Sequence, residues 1–358
     1  MRVQLVDPSA FTPPYDHALA AALARAGADV ELVTSRFLYG PVPREEGYRV
    51  TEHFYRRTGR RGLEARGRMP LKLAEHVPDM LRYRRRAGAA DVRHFQWLPL
   101  ERIDAHLLPA ARPRLLTMHN VIRRAKVDRR LVRRMDAVIV HTRHGADLLG
   151  SGENVHVIPH GAFEHLTHQR HEEPLPPELA TVERPVVLYF GVIRPYKGVE
   201  VLVDAFRQVE DAELWVVGRP LEVSMAELRR IAPPRRVRFV DRYVSDAELP
   251  AFFRRADLLV LPHRNVDVSG VLFAGLAFGK AMVLSDVGGF RELVEEHGAG
   301  VLVPQGDPGE LAAAIERLLA DPGERRRLEE LAAAAASGPY SWDRIAGQTA
   351  SLYEQVSS

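Results

Sequence analysis

Short apolar runs separated by amphipathic stretches recur along most of the 358 residues, and this pattern sets the fold class before any single residue does. VQLVDP (3–8) predicts a strand, and HALAAALARAGADVELVTS (17–35) predicts a helix and a second strand, so the chain opens as a βαβ unit. DVRHFQWLPL (91–100) and PRLLTMHNVI (113–122) each predict a strand running into polar residues, while AVIVHT (137–142) and VHVIPHG (155–161) predict two more. Residues 40–90, rich in arginine, glycine and proline, predict helices and loops over one face of the first domain. A second alternation starts at VVLYF (186–190) and continues through a helix with apolar Val199, Leu202, Val203 and Phe206. Strands follow at LWVVG (214–218), VRFV (237–240), LLVLP (258–262), AMVLS (281–285) and GVLVP (300–304), with helices at 246–255 and from residue 270. Continuous apolar strands alternating with helices predict an α/β protein with doubly wound parallel sheets. Residues 162–183, polar and proline-rich, predict a linker between two such domains.

The length also asks for two domains, because one core of ordinary size does not serve a chain this long. No long apolar run offers a membrane span, and the first residues lack the apolar core and cleavage site of a signal peptide; a cytoplasmic protein is expected. The absence of cysteine excludes disulfides, thiolate metal sites and cysteine nucleophiles. A net charge of +3 conceals an asymmetry: residues 1–160 hold 28 Lys and Arg against 17 Asp and Glu, about +11, which leaves the remainder at about −8. RYRRR (82–86), RRAK (123–126) and Arg129, Arg130, Arg133 and Arg134 carry much of the surplus. Helices with charge on their solvated faces account for it, and peripheral contact with an anionic membrane is the functional alternative. No aromatic-rich binding motif accompanies the charge, so nucleic acid is not an expected partner.

Candidate chemistry collects at strand ends, where open parallel sheets bind their ligands. After VVLYF, Gly191 frees the backbone, and Arg194, Lys197 and Gly198 precede a helix whose first amides and dipole favour an anion. The turn reads as a diphosphate clamp, or as an ordinary loop with solvated charges. SAFTPPYDH (9–17) lacks the glycines of a dinucleotide turn and reads as an acceptor-side loop with polar members Tyr15, Asp16 and His17; helix capping, favoured for Asp16, is the plain alternative. His94, with Gln96 and Trp97, and His119, with Asn120, follow neighbouring strands and are aimed at the same ligand-binding end.

These residues carry a family resemblance. YFGVIRPYKG (189–198), ADLLVLPHRNVDVSGVLFAGLAFGKAMVLSDVGGFRELV (256–294) and GVLVPQGDPGELAAAIERLLADP (300–322) resemble a retaining glycosyltransferase of family 4, with the GT-B fold. TPPYDHALAAAL (12–23), HFQW (94–97), LTMHN (116–120), VIPHG (157–161) and the closing PYSWDRIAGQTASLYEQV (339–356) resemble it too, so the match covers most of the chain. The resemblance implies two Rossmann-like domains facing across a cleft: residues 1–165 on the acceptor side, a linker 166–183, and a nucleotide-sugar domain 184–337, with helix 338–358 crossing back to the first. It implies a sugar moved from a nucleoside diphosphate to an unidentified glycan, lipid or small molecule, with His119 near the donor's sugar and phosphate.

The chemistry agrees with that implication. Charge builds on the departing phosphate, so cations from Arg194 and Lys197 and amides of Ser269, Gly270 and Val271, where DVSGV opens a helix, suit the donor. No Asp-x-Asp pair occurs, which argues for metal independence and for no cofactor beyond the nucleotide sugar. The chain departs from the family pattern where two glutamates are usual: Ala274 and Val266 stand there. Val268 replaces the glutamine of a Gln-Ser-Gly variant, the usual Gly-Arg is Gly191-Val192, and Asp267 is the nearby carboxylate left for a sugar hydroxyl. A GT-B binding or scaffold protein that has lost the sugar contacts is the alternative from another class, and a nucleotide-sugar epimerase a third.

Overall fold

The computed structural model describes residues 1–38, 42, 45–58, 65–121, 129–150 and 152–358. The chain divides into two compact units, residues 1–159 with 342–358, and residues 160–341.

The first unit holds a seven-stranded, wholly parallel sheet. Its strands are β1 (Arg2–Asp7), β2 (Asp29–Ser35), β3 (Arg49–Phe54), β4 (Val92–Phe95), β5 (Arg114–Met118), β6 (Ala137–Val140) and β7 (Val155–Val157), in the order β3-β2-β1-β4-β5-β6-β7. Six of these occupy the predicted runs. β3 was not expected within 40–90: its sequence RVTEHF is half polar because it forms the edge of the sheet, where one side of the ladder has no partner. The same region also holds the long helix Ala65–Arg86.

The closing helix Trp342–Ser357 belongs to this unit. Ile345, Ala346, Leu352 and Tyr353 bury its apolar face with Leu19 and Leu23 of helix Pro13–Arg25. A polar bond ties it down more specifically. His94 on β4 is fully buried, with Nδ1 2.7 Å from the Tyr353 hydroxyl and Nε2 2.7 Å from Thr117 Oγ1 on β5.

The second unit holds a six-stranded parallel sheet of β8 (Val186–Phe190), β9 (Glu213–Val217), β10 (Val237–Val240), β11 (Leu258–Leu261), β12 (Met282–Ser285) and β13 (Val301–Val303). Their order is β10-β9-β8-β11-β12-β13. The strands are apolar on both faces because helices cover both: Val187, Tyr189, Val216 and Val260 face one cluster, Leu188, Trp215, Leu259 and Leu261 the other. Residues 160–183 pack into this unit rather than standing apart as a linker. Ala162, Leu166 and Leu179 are buried in its core, and the Ala162 amide donates to the Tyr340 carbonyl at 2.9 Å.

In both orders the sequence of strands reverses, between β1 and β4 in the first unit and between β8 and β11 in the second. Loops leaving two such strands diverge to opposite faces and open a crevice at their carboxyl ends.

Burial gives His94 a measurable signature. Desolvation, with a smaller contribution from His141, pushes its pKa down to about 3, so folded protein holds it neutral where the unfolded chain titrates near 6.5. The unfolded state therefore binds the extra proton between those values, and stability contributed by this group is present above pH 6.5 and lost on acidification. Denaturant unfolding of the first unit should weaken by roughly 1.4 kcal/mol per pH unit from this group below pH 6.5, and His94→Gln should flatten the slope by that amount.

Candidate functional site

The turn after β8 is built by two close approaches. Gly191 has φ of +103°, and a Cβ there would lie 3.0 Å from Val271 Cγ2 and 3.3 Å from Lys197 Nζ. Gly198 has φ of +63°, and a Cβ there would lie 2.0 Å from the Pro262 carbonyl oxygen, so any side chain would force the backbone apart. The turn is also tied laterally, with the Ile193 amide donating to Arg219 O at 3.0 Å and the Leu221 amide donating to Ile193 O at 2.8 Å. Gly191, Lys197 and Val271 are thereby brought together at the β8/β11 reversal, as the sequence suggested.

Residues Pro195–Lys197 make a 3₁₀ turn, and the amides of Lys197 and Gly198 donate within it, to Arg194 O and Pro195 O. The helix expected after the turn follows at Val199–Ala205, with Gly198 as its N-cap. Arg194 is half-buried, with no carboxylate partner among the described residues. Lys197 is half-buried as well.

After β11 the loop reaches helix Gly270–Ala277, whose N-cap Ser269 makes no side-chain capping bond. The first amides of that helix, at Gly270 and Val271, are left without a capping side chain next to Gly191. Asp267 and Ser269 are both buried in this loop. Ala274 and Val266, the positions at which the resemblance leads one to expect glutamates, are buried in the apolar core of the unit.

His263 immediately follows this strand and was not singled out, although a histidine after an apolar strand is the same signal that drew attention to His119. It is 1% exposed, sits edge-on to Tyr196 (6.1 Å between centroids) and Phe290 (5.2 Å), and is held neutral by burial, with the Lys197 charge adding to the effect.

In the first unit His119 lies after β5, half-buried among rings and polar groups. It stacks on Trp97 at 5.1 Å and 17°, and Tyr15 meets it edge-on at 4.6 Å. His141 Nδ1 is 3.0 Å from the Ile158 carbonyl and so carries its hydrogen there, leaving Nε2 to accept from His119 Nδ1 at 3.1 Å. His119 Nε2 then faces the Gln96 side chain at 3.2 Å. The Gln96 Nε2 atom has no other partner, and turning the amide over lets it donate to a neutral His119. His141 and Gln96 thus fix the tautomer of His119; neither function is visible until the strands are aligned.

The other acceptor-side candidates are placed differently from expectation. Asp16 is not a helix cap: Thr12 occupies the N-cap position, and Asp16 is buried in the first turn beside Asp7. Burial, and then the charge and hydrogen bond of Asp7, raise Asp16 well above the ordinary carboxylate range. Asp16 keeps the proton, while the amides of Ser9, at 3.0 Å, and Phe11, at 2.6 Å, hold the Asp7 carboxylate. The pair fixes the loop after β1. His17 is buried, with Nδ1 2.7 Å from the Tyr48 hydroxyl, and it lines a small pocket of about 140 Å³ with Asp16, Thr34 and Glu52. Tyr15 is buried as the floor under His119. His94, fully buried with both nitrogens engaged, has no face to offer an acceptor: it anchors the closing helix instead.

The arginine surplus is partly paired. Arg82 pairs with Asp79, Arg86 with Glu31, and Arg25 with Asp343, all at the surface like Arg84 and Arg85, and RRAK (123–126) lies outside the described residues. Among the described residues no helix is long and apolar enough to cross a membrane, and no three His, Asp or Glu side chains are grouped as a metal ion needs.

Residues 184–321, all in the second unit, match the family described as Glycosyl transferases group 1. The chain is 29% identical to a D-inositol 3-phosphate glycosyltransferase of Xylanimonas cellulosilytica over 94% of its own length and 90% of that protein. It is 28% identical to the alpha-D-kanosaminyltransferase of Streptomyces kanamyceticus, over 64% of this chain and just under two thirds, 63%, of that one. Among solved structures, the Anabaena protein Alr3699/HepE in complex with UDP-glucose has a TM-score of 0.73 at 20% identity, covering 99% of this chain and 100% of that one, a likeness of fold. The two parallel-sheet units are those of the GT-B fold, and the match to the glycosyl transferase family model lies within the second.

Proposed function

We propose that the protein is a retaining, metal-independent glycosyltransferase of family 4, which moves a sugar from a nucleoside-diphosphate sugar to a glycan, lipid or small-molecule acceptor. The observation that carries the reading is the convergence of Gly191, Lys197 and Val271 at the strand reversal, inside the segment that matches the glycosyl transferase family. The names of the two relatives support a sugar transfer, and the UDP-glucose bound by the Anabaena protein supports a nucleotide-sugar donor. The absence of any Asp-x-Asp pair supports transfer without a metal bridge to the diphosphate.

In this reading Arg194 and Lys197 neutralise the charge that develops on the departing diphosphate, and the amides of Gly270 and Val271, beside Ser269, add fixed dipoles. Asp267 receives a hydroxyl of the sugar. The acceptor attacks on the face the phosphate leaves, so the leaving oxygen itself takes the acceptor's proton and no separate base is required. His119 acts as a neutral polar group toward the reacting sugar, its tautomer set by His141 and Gln96. Tyr15, Asp16 and His17 shape the acceptor side from beneath rather than by direct contact. The exposed arginines of the first unit give it peripheral affinity for an anionic membrane, as a lipid acceptor requires.

Three measurements test the proposal. Calorimetric titration with uridine, guanosine and adenosine diphosphates should find one that binds, and Lys197→Ala should weaken it about tenfold or more, the scale of one charge-assisted contact of roughly 1.5–3 kcal/mol. Unchanged affinity would remove Lys197 from the site. His119→Ala should leave the thermal transition in place and lower kcat by about 10²–10³, with the product keeping the donor's anomeric configuration by NMR. Turnover close to wild type would make His119 purely structural. Sedimentation with anionic vesicles should occur at low salt and fade as salt rises, and equal sedimentation with neutral vesicles would contradict the electrostatic contact.

A further inference from the structure

His263 is a polar side chain where packing alone calls for an apolar one. Its neighbours Tyr196 and Phe290 present ring edges, and its loop is pinned to the turn that carries Lys197. Arg264 N donates to Tyr196 O at 2.8 Å, Arg264 pairs with Glu200 at 2.6 Å, and the Pro262 carbonyl packs against Gly198. Neither Nδ1 nor Nε2 has a hydrogen-bond partner among the described residues; the Leu261 carbonyl approaches without hydrogen-bond geometry. A buried imidazole with two unsatisfied nitrogens destabilises the empty protein, and a phenylalanine of similar shape does not. Such an arrangement is stable to selection only if something satisfies the ring in another state.

A neutral imidazole has one N–H donor and one lone pair. A phosphate oxygen only accepts, and an ammonium only donates. The two orphaned nitrogens therefore match one of each, and Lys197 is close enough for its charge to act on the ring. We propose that His263 is a phosphate-binding residue: one ring nitrogen donates to an oxygen of the bound nucleoside diphosphate while the other accepts from Lys197, so that the ligand completes a Lys197–His263–phosphate chain that is open in the empty protein. Desolvation and Lys197 push the pKa of His263 down to about 3, so the link adds no third positive charge and does not titrate in the physiological range. Lys197 is positioned by the lone pair, and the phosphate gains a directed donor.

The inference rests on the nucleotide-sugar reading of the site, and the test separates the two. Uridine, guanosine and adenosine diphosphates are titrated by calorimetry into wild type, His263→Phe, Lys197→Ala and the double variant, with thermal unfolding of each protein without ligand. His263→Phe should unfold at the same or a higher temperature and bind about tenfold or more weakly, a combination that a structural histidine does not produce. The double variant should lose little beyond either single change, because the two residues form one chain. Wild-type affinity in His263→Phe, or losses that multiply in the double variant, overturns the proposal. Should His263→Phe not fold, the ring ¹⁵N resonances of His263 in the wild type decide: they must move on adding the diphosphate, and constancy overturns it. Wild type that binds none of the three overturns the donor reading itself.

Discussion

The candidate donor site depends on one contact, the approach of the turn after β8 to the loop after β11. The Pro262 carbonyl occupies the space where any side chain at residue 198 would stand, and Val271 closes over Gly191. Two glycines at positive φ make that approach possible. Because of it, Lys197, His263 and the start of helix Gly270–Ala277 belong to one small region instead of three separate loops. The strand order supplies the reason that these two loops meet a crevice: β8 and β11 are neighbours across the reversal, and their following helices leave toward opposite faces.

The first unit uses the same topology with a different chemistry. Among the described residues its strand ends carry no turn like Gly191–Gly198. Instead, Trp97, Tyr15 and His141 surround His119, and a carboxylic acid–carboxylate pair, Asp16 and Asp7, stiffens the loop after β1. A buried network of this kind is valuable only when its hydrogen bonds are complete, since each unmet group costs as much as a made bond gains. The Ile158–His141–His119–Gln96 series is continuous from carbonyl to amide once the glutamine is oriented to donate. Histidines that look alike in the sequence thereby acquire distinct duties: His94 fastens a helix, His141 orients a neighbour, and His119 remains at the half-buried strand end.

Charge follows a similar division. The surplus of arginine in residues 1–160 reads in the sequence as one basic surface, yet Arg86 and Arg25 are engaged by Glu31 and Asp343, distant in the chain, and Arg82 by Asp79, one turn back on its own helix. Exposed ion pairs of this type contribute little stability, but they reduce the field that the first unit presents to a membrane. Arg84 and Arg85 retain theirs, on the outer side of helix Ala65–Arg86.

The sequence by itself determined the strands, the two-unit α/β class and the loops that matter, because apolar runs bounded by glycine and proline are local signals and parallel strands are buried on both faces. It missed β3, whose edge position leaves its residues RVTEHF half polar, and it read residues 166–183 as a linker because their packing into the second unit comes from a few scattered apolar residues, Leu166, Leu175, Leu179 and Val182, amid polar neighbours. Gly191, Lys197 and Val271 were legible as a group, since the glycine and the basic turn stand next to a strand. What only the tertiary structure decided was which polar side chains are satisfied. Asp16 proved to be a buried acid and not a cap, His94 an anchor and not an acceptor contact, and His263 a ring without partners, each through groups from 9 to 259 residues away or through their absence. Hydrogen-bond satisfaction is a property of neighbours in space, and one-dimensional spacing carries no record of them.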